Sequence, residues 1–365
     1  MEDELRQALA AMGENRRVLR THDPRLVDFS HNDYLGLRTH PVVIERARAW
    51  TLRHGAGSGS SRLVSASHAE YLALERRLAD FKGKEAALLF ASGYQLNATV
   101  IPAIADLLGA DLFFDKLAHA SIYHGVKGLP ARRFRHNDLD HLDSLLKASR
   151  ARHKLILTES VFSMDGDRAP LEDLAALAER HGAHLYIDEA HAGGVLGPEG
   201  RGLCYPLGSR IAMVMGTLGK AMGGAGAYIA GSAALIAYLV NRAQGFVYST
   251  ALPPAALGAL EGALDLLPGM EEARARVQDR AARLRRHLRA RGFSCGPSTS
   301  QIVPLILGAA AAALAAQAHL ARHGLHAVAI RPPTVPPGKA RLRLSMSAGH
   351  SEPDFALLCE TLAAL

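Results

Sequence analysis

The chain has 365 residues, of which 48% are hydrophobic and 21% charged, and its formal net charge is +7 at pH 7. This composition suits one large globular domain plus a smaller one and excludes a mostly disordered chain. The apolar runs are too short to cross a bilayer and the acidic N-terminus is no signal peptide, so we expect a cytoplasmic protein without a membrane partner.

The positive net charge could attract a nucleic acid or an anionic small molecule. Aromatic residues make up only 5% of the chain and do not alternate with the arginines, which argues against a stacking surface for single strands. The three cysteines lack the spacing of metal ligands. We therefore expect neither a nucleic-acid partner nor a metal.

The first complete helix signature begins near Ser67, which has the spacing of a capping box with Glu70, and ends at Gly83. A strand at 86–90 follows, and Ser92 then opens a helix that runs to about residue 108. A further helix is predicted from Pro170 to Gly182. Further strands are predicted at 155–158, 184–188, 211–215 and 225–230. The last of these follows its predecessor too closely for a helical crossover, so we expect it to be antiparallel.

After residue 250 the pattern changes. A long helix is predicted at 253–291, short strands at 302–307, 327–331 and 341–345, a helix in the alanine run 309–313, and a final helix capped by Ser351. In 341–345 leucines alternate with arginines, as in a half-buried strand.

These elements predict an α/β fold. The large domain has a mostly parallel central sheet with helices on both faces, and a smaller α+β domain follows it. We place a short N-terminal segment at 1–40, the large domain at 41–250 and the C-terminal domain at 251–365.

Two short motifs carry the chemistry. Asp188 ends a predicted strand, His191 follows three residues later, and Lys220 lies in the glycine-containing segment 216–220. Pyridoxal phosphate needs such residues, because a lysine amine forms a Schiff base with its aldehyde and a carboxylate keeps its pyridine nitrogen protonated. The pair therefore predicts a pyridoxal-phosphate enzyme.

Other polar residues follow strands at the same predicted sheet edge, where ligands bind in open α/β sheets. Ser163 follows one strand, and the segment 92–94 begins a helix whose N–H groups suit a phosphate. Each residue also has an ordinary alternative. Asp188 could simply cap a helix, Lys220 could be a solvated surface residue, and His119 and His191 could be hydrogen-bonded core histidines.

Two glycine-rich segments have the composition of nucleotide-binding loops. Segment 54–62 does not match the dinucleotide pattern, and 216–220 lacks the Walker spacing. Neither predicts a nucleotide-binding enzyme.

The two motifs resemble the α-oxoamine synthases, pyridoxal-phosphate enzymes of the type I (aspartate-aminotransferase) fold. The resemblance runs nearly end to end and includes 29–37, 54–62, 163–167 and 248–254. Segments 134–138 and 330–344 are similar to one subfamily. That subfamily condenses L-alanine with a pimeloyl thioester, with decarboxylation, to 8-amino-7-oxononanoate in biotin biosynthesis.

The resemblance implies a role for each cofactor residue. Lys220 would form the Schiff base, Asp188 would pair with the pyridinium and His119 would stack on the ring face. His191 and Ser163 would lie near the phenolic oxygen. The residues expected around the phosphate are Ser92, Gly93, Tyr94 and Thr217. Ser249 and Thr250 would reach the phosphate of a neighbouring subunit, which implies a homodimer with active sites at the interface.

The resemblance also implies substrate contacts. Arg331 would bind the amino-acid carboxylate, with Thr334 in the same stretch and Asn32 near the substrate. An arginine for the far carboxylate of the acyl substrate is expected at Arg17 or Arg20, and we prefer Arg20.

Several alternatives remain open at this point. The chain could be an α-oxoamine synthase that uses glycine or serine, an aminotransferase, or a protein of this fold without catalysis. The acyl donor could be a coenzyme A ester or an acyl carrier protein. Either His119 or His191 could assist the substrate carbonyl.

Overall fold

The computed structural model describes residues 1–13, 19, 21 and 23–365, which form two compact units. The large unit comprises Asn32–Ser163 and Asp167–Val277. The small unit comprises Met1–His31, Met164–Gly166 and Gln278–Leu365, within the described residues. The sequence-based boundaries at 40 and 250 remain a prediction.

Thirteen α-helices lie in the described residues. They are α1 (Glu2–Ala11), α2 (Pro41–His54), α3 (Ala69–Lys82), α4 (Gly93–Leu108), α5 (Ala120–Gly125), α6 (Leu139–Ala148), α7 (Leu171–Arg180), α8 (Ala233–Arg242), α9 (Gln244–Val247), α10 (Pro254–Leu266), α11 (Glu271–Ala290), α12 (Ala310–Arg322) and α13 (Glu352–Ala363).

The same residues contain twelve strands. They are β1 (Val27–Asp28), β2 (Ala86–Phe90), β3 (Asp111–Asp115), β4 (Ala131–Phe134), β5 (Lys154–Glu159), β6 (Ala183–Asp188), β7 (Met213–Thr217), β8 (Ala227–Gly231), β9 (Ile302–Gly308), β10 (Leu325–His326), β11 (Val328–Ile330) and β12 (Ala340–Ser345).

The large unit is built on a seven-stranded sheet with the order β2-β8-β7-β6-β5-β3-β4. β8 is antiparallel to both of its neighbours, as its short connection predicts, and the other pairings are parallel. Since β2 and β7 both oppose β8, they point the same way. The carboxyl ends of six strands therefore meet at one edge of this sheet.

Alternation of apolar residues along the central strands builds a core on each face of the sheet. On β5, Leu155 and Leu157 belong to the core formed with α4 and α8, whereas Ile156 belongs to the core formed with α6 and α7. Because both faces are covered, the central strands are apolar almost throughout. This confirms the predicted α/β class with a mostly parallel sheet.

The small unit contains the antiparallel sheet β11-β12-β9 and the short parallel pair β1-β10. The final helix begins with the predicted capping box of Ser351 and Asp354. The prediction that β12 is half buried was wrong, because Arg341 and Arg343 are 3% and 6% exposed. The Arg341 guanidinium is buried against Asp165, with Nη1 at 2.6 Å from Oδ1.

Two predictions about helix ends need correction. Helix α3 is capped by His68, whose side chain accepts the N–H of Tyr71, while Ser67 is occupied by hydrogen bonds with Arg62. The long helix predicted at 253–291 is interrupted by a 3-10 turn at Leu267–Gly269. Pro268 explains this interruption, because proline removes a backbone donor. No helix among the described residues is long and apolar enough to cross a membrane.

Candidate active site

Several candidate site residues of the large unit lie at the carboxyl edge of its sheet. Asp188 is the last residue of β6, Thr217 the last of β7 and Glu159 the last of β5. Gly93 begins α4 just after β2, and Lys220 follows β7 by three residues. This is the edge at which open α/β sheets bind ligands.

Asp188 is 5% exposed and is held by two N–H donors. Its Oδ1 accepts from the backbone of Ala190 at 2.9 Å, and its Oδ2 accepts from Asn97 Nδ2 at 3.1 Å. Tyr186 OH donates to Asn97 Oδ1 at 2.5 Å. Burial raises the pKa of Tyr186 well above its usual value, so this phenol remains a donor and fixes the orientation of the amide.

His119 joins this network through Ser121. Asn97 Nδ2 donates to Ser121 Oγ at 2.9 Å, and Ser121 Oγ lies 2.7 Å from His119 Nδ1. The same Nδ1 accepts the backbone N–H of Ser121 at 3.2 Å. Desolvation lowers the pKa of His119, and although the charge of Asp188 opposes this, Lys220 adds to it. The ring is therefore a neutral imidazole with its proton on Nε2.

Lys220 is the first member of a second chain of contacts. Its Nζ lies 2.9 Å from His191 Nε2, and His191 Nδ1 lies 2.7 Å from Tyr34 OH. Tyr34 OH donates to Asn32 Oδ1 at 3.0 Å. With that hydroxyl proton committed to Asn32, Nδ1 of His191 is the donor to Tyr34, and Nε2 is left to accept from the lysine.

Gly93 and Thr217 form a close contact where β2 turns into α4. A Cβ atom on Gly93 would lie 2.8 Å from Thr217 Cγ2, so no larger residue fits without movement. Thr217 Oγ1 is buried and makes no hydrogen bond with any of the described residues. An unsatisfied hydroxyl beside the N-terminus of a 16-residue helix matches what a phosphate group requires.

The remaining predicted phosphate residues lie at the same helix end. Ser92 caps α4 by accepting the N–H of Gln95, and Tyr94 is half exposed with its OH 3.1 Å from a ring nitrogen of His124. Gln95 Nε2 donates to Ser249 Oγ at 2.6 Å. Thr250 is exposed and pairs in an isolated bridge with Ser61, and Ser163 ends the first segment of the large unit.

Glu159 is a buried acid that sequence reasoning did not select. It is opposite Asp188 in the β5–β6 register, and its Oε1 has no hydrogen-bond partner in the part of the chain that the structure describes. Burial raises its pKa well above the usual value, and the charge of Asp188 raises it further. Burial and the neighbouring carboxylate therefore both disfavour the ionised form of Glu159.

Two of the predicted substrate residues belong to the small unit, and a third lies outside the described residues. Arg331 and Thr334 belong to the small unit, where the N–H of Thr334 donates to the carbonyl of Arg331 at 3.0 Å. Arg20, and its alternative Arg17, lie outside the described residues. Asn32 is the first residue of the large unit and contacts the lysine–histidine chain through Tyr34.

One group of described residues has the composition of a metal site. Ligand atoms of His54, His68 and Glu70 all lie within 4.8 Å of one another. Glu70 is already paired with Arg53 and with His54, whose Nε2 is 2.6 Å from its Oε2. His68 caps α3 by accepting the N–H of Tyr71. These contacts account for the three side chains, so we assign no metal to them.

Comparison with known proteins identifies the family. A model of the aminotransferase class I and II family matches residues 24–362. The 8-amino-7-oxononanoate synthase of Gluconacetobacter diazotrophicus is 51% identical over 345 residues, which cover 92% of this chain and 86% of the relative. That of Anaeromyxobacter dehalogenans is 48% identical over 368 residues, which cover 99% of this chain and 91% of the relative.

Solved structures share the fold. A variant of the serine palmitoyltransferase from S. paucimobilis, with a bound pyridoxal phosphate–myriocin aldimine, has a TM-score of 0.91 at 28% identity, covering 100% of this chain and 96% of that one. An 8-amino-7-oxononanoate synthase from Francisella tularensis has a TM-score of 0.80, also at 28% identity, covering 94% and 98%.

The site and these similarities agree on the cofactor, since the strand-end acid, the lysine and the phosphate cradle fit pyridoxal 5'-phosphate. The chain belongs to the aminotransferase class I and II family and, within it, to the 8-amino-7-oxononanoate synthases, pyridoxal-phosphate-dependent acyltransferases of biotin biosynthesis.

Proposed function

We propose that the chain condenses L-alanine with a pimeloyl thioester and releases carbon dioxide, the thiol and 8-amino-7-oxononanoate. The observation that carries the proposal is the 51% identity, over 92% of the chain, with a protein of that name. The cofactor cluster supports it, because this reaction needs an electron sink and a base at the amino-acid α-carbon.

The cofactor, when bound, supplies an aldehyde for the amino group and a cationic ring that accepts negative charge. Lys220 would bond to the aldehyde, the Asp188 carboxylate would pair with the pyridine nitrogen, and His119 would stack on the ring. His191 and Ser163 would contact the phenolic oxygen. The residues that would hold the phosphate are Ser92, Gly93, Tyr94 and Thr217.

Lys220 also transfers the α-proton of the amino acid. A lysine of ordinary pKa, about 10.4, is protonated at neutral pH, so its environment must favour the neutral amine. His191 Nε2, at 2.9 Å, can accept a hydrogen bond from the amine and orient its lone pair. Tyr34 and Asn32 fix the tautomer of His191, so they act on Lys220 through that ring.

Substrate recognition is assigned from the resemblance of sequence motifs. Arg331 binds the carboxylate of alanine, assisted by Thr334 and Asn32, and Arg20 meets the far carboxylate of the pimeloyl group. Replacing Arg331 by Ala is expected to weaken L-alanine binding by about tenfold or more, the usual effect of losing a charged hydrogen bond. An unchanged Kd for L-alanine would remove Arg331 from the site.

The active enzyme is a homodimer in which Ser249 and Thr250 complete the site of the neighbouring subunit. Exposed apolar side chains in the large unit support this, since Tyr248 is 83% and Val64 80% exposed. Both lie in segments joined by the bridge between Ser61 and Thr250.

Co-expression of two defective subunits tests the shared site. One subunit carries Lys220→Ala and the other Ser249→Ala with Thr250→Val, so a mixed dimer retains one intact site. Recovery of activity above that of either homodimer supports the arrangement. Activity equal to the mean of the two homodimers contradicts it.

The direct test of the reaction is a product assay by mass spectrometry. L-alanine, glycine and L-serine are each paired with pimeloyl coenzyme A, pimeloyl acyl carrier protein and palmitoyl coenzyme A. Formation of 8-amino-7-oxononanoate from alanine in either pimeloyl arm supports the proposal, and the two arms distinguish the donors. A product only from serine or glycine, or amino transfer without carbon dioxide release, would replace it with the corresponding alternative.

Borohydride reduction followed by peptide mapping tests the lysine independently of turnover. The cofactor label is expected on the peptide that contains Lys220 and nowhere else. Lys147→Ala, an exposed lysine on α6, is the control and should leave labelling unchanged. Label on another lysine would contradict the assignment.

A further inference from the structure

The large unit contains a fully buried lysine that contacts the residue directly after Asp188. Lys82, the last residue of α3, places its Nζ 2.7 Å from Oε2 of Glu189, and both side chains are fully buried. The same Nζ donates to the backbone carbonyl of Arg201. The other carboxylate oxygen of Glu189 accepts the N–H of Cys204 at 2.8 Å. The pair is therefore enclosed and hydrogen-bonded at both ends.

Glu189 directly follows Asp188, the last residue of β6, and precedes His191 by two residues. Its N–H donates to the carbonyl of Met215, the middle residue of β7, at 2.8 Å, and its carbonyl accepts the N–H of Ala192 at 3.0 Å. Contacts that hold the Glu189 side chain therefore also restrain the backbone of the neighbouring residues Asp188 and His191.

The segment 201–204 is built around this carboxylate. A Cβ on Gly202 would lie 2.2 Å from Glu189 Oε2, so the chain approaches more closely than any other residue allows. Burial raises the pKa of Cys204 well above its usual value and that of Tyr228 to about 12. Both neighbours are therefore neutral at pH 7, and the charges of Lys82 and Glu189 balance each other.

Stability alone does not explain such a pair. Removing two charges from water is unfavourable, and apolar residues of the same volume often stabilise a protein as well as a buried ion pair does. A buried pair of this kind can instead specify one arrangement of the chain. Here the arrangement that it specifies is the turn 188–191.

We propose that Lys82 is a positioning residue, which holds Glu189 and thereby sets Asp188 and His191 in the orientation that the cofactor requires. The inference rests on the cofactor roles proposed above for Asp188, His191 and Lys220. Misplacement of catalytic groups by about 1 Å can cost about a hundredfold in rate, so a loss of this anchor should be measurable.

The test uses the full chain with two variants and a matched control. Lys82→Met breaks the pair and leaves a buried charge. Lys82→Met with Glu189→Gln removes both charges, while the glutamine amide can still accept from Cys204 and donate to the carbonyl of Arg201. Lys84→Met is the control, because the Lys84 amine also donates to two partly buried backbone carbonyls, but these belong to Gly208 and Ile211, outside the turn 188–191.

The readouts are the Kd for pyridoxal phosphate, the pH midpoint of the visible absorbance of the loaded protein, and thermal stability. We expect the double variant to regain the stability lost by Lys82→Met yet to bind the cofactor at least about tenfold more weakly, with a shifted absorbance midpoint. The control should lose stability without either change. If only one of the two Lys82 variants folds, the cofactor Kd of that variant alone tests the positioning role.

A folded Lys82 variant with the Kd and absorbance of the unmodified protein would overturn the positioning role. That outcome differs from failure of the proposed function. If the unmodified chain itself neither binds pyridoxal phosphate nor carries it on Lys220, the proposed function fails first.

Discussion

His136 lies between two carboxylates in the large unit. Its Nδ1 is 2.9 Å from Asp115 Oδ1 and its Nε2 is 2.8 Å from Asp167 Oδ2. A ring with an acceptor at each nitrogen is doubly protonated. Burial lowers the pKa of His136, but the hydrogen bonds and charges of the two carboxylates outweigh burial and raise it to about 10.

The sign of the effect on stability follows from this shift. The pKa of the folded state exceeds the unfolded value of about 6.5, so the stabilisation is fully present below pH 6.5 and disappears as the pH rises through about 10. Within that window, each unit of pH increase lowers the free energy of unfolding by at most about 1.4 kcal/mol. The ring is 22% exposed, so solvent screening reduces the effect. We expect titration of His136 to lower the free energy of unfolding by about 1–2.5 kcal/mol between pH 7 and pH 9.

Urea unfolding at pH 7 and pH 9 measures this contribution. His136→Gln keeps one donor but cannot carry the charge, so its free energy of unfolding should fall less over this interval than that of the unmodified protein. His184→Gln, an exposed histidine on β6, is the control and should follow the unmodified protein. Equal pH dependence of His136→Gln and the unmodified protein would refute the reasoning.

Three further substitutions test the cluster at the sheet edge. Gly93→Ala places a methyl group 2.8 Å from Thr217 and should weaken cofactor binding by about tenfold or more in an equilibrium titration. Gly57→Ala is the control and should leave binding unchanged, because its methyl group would have no heavy atom of the described residues within 4 Å. Tyr34→Phe removes the hydroxyl beside the histidine ring, so we expect a shifted pH profile of kcat and a roughly tenfold lower rate; an unchanged profile would exclude that contact. Asn97→Leu deprives the strand-end carboxylate of a donor and should destabilise the protein by about 1–3 kcal/mol in urea unfolding, with weaker cofactor binding.

The sequence predicted the parts of the fold that local patterns encode. The strand at 86–90 and the helix from Gly93 to residue 108 were placed at their observed limits, because an apolar run, a cap and a glycine stop coincide there. The strands β3 and β4 were not predicted. The β4 sequence, with Arg132 and Arg133 in its middle, lacks an apolar pattern because it is an edge strand.

The partners of the site residues were harder to predict than the residues themselves. Asn97 carries only a weak signal, a polar side chain on a largely apolar helix, and Tyr34 is one residue of a longer motif. Lys82 at a helix end resembles a solvated residue, and only the tertiary structure reveals that it is buried against Glu189. Such contacts join positions up to 157 residues apart, which local sequence patterns do not record.

The fold and the cofactor cluster cannot by themselves select the substrates, since a serine palmitoyltransferase matches this chain with a TM-score of 0.91. Alanine and serine differ by one hydroxyl, and a pocket shaped for the smaller group rejects such an isostere by only about a hundredfold. A terminal carboxylate on the acyl chain allows much stronger discrimination, because the arginine proposed to bind it would lose its charge partner with any acyl chain that lacks this group. We therefore expect modest selection for alanine over serine and strong selection for pimeloyl over palmitoyl thioesters. Comparable kcat/KM values for the two acyl donors would contradict the proposed substrate, even if alanine were the preferred amino acid.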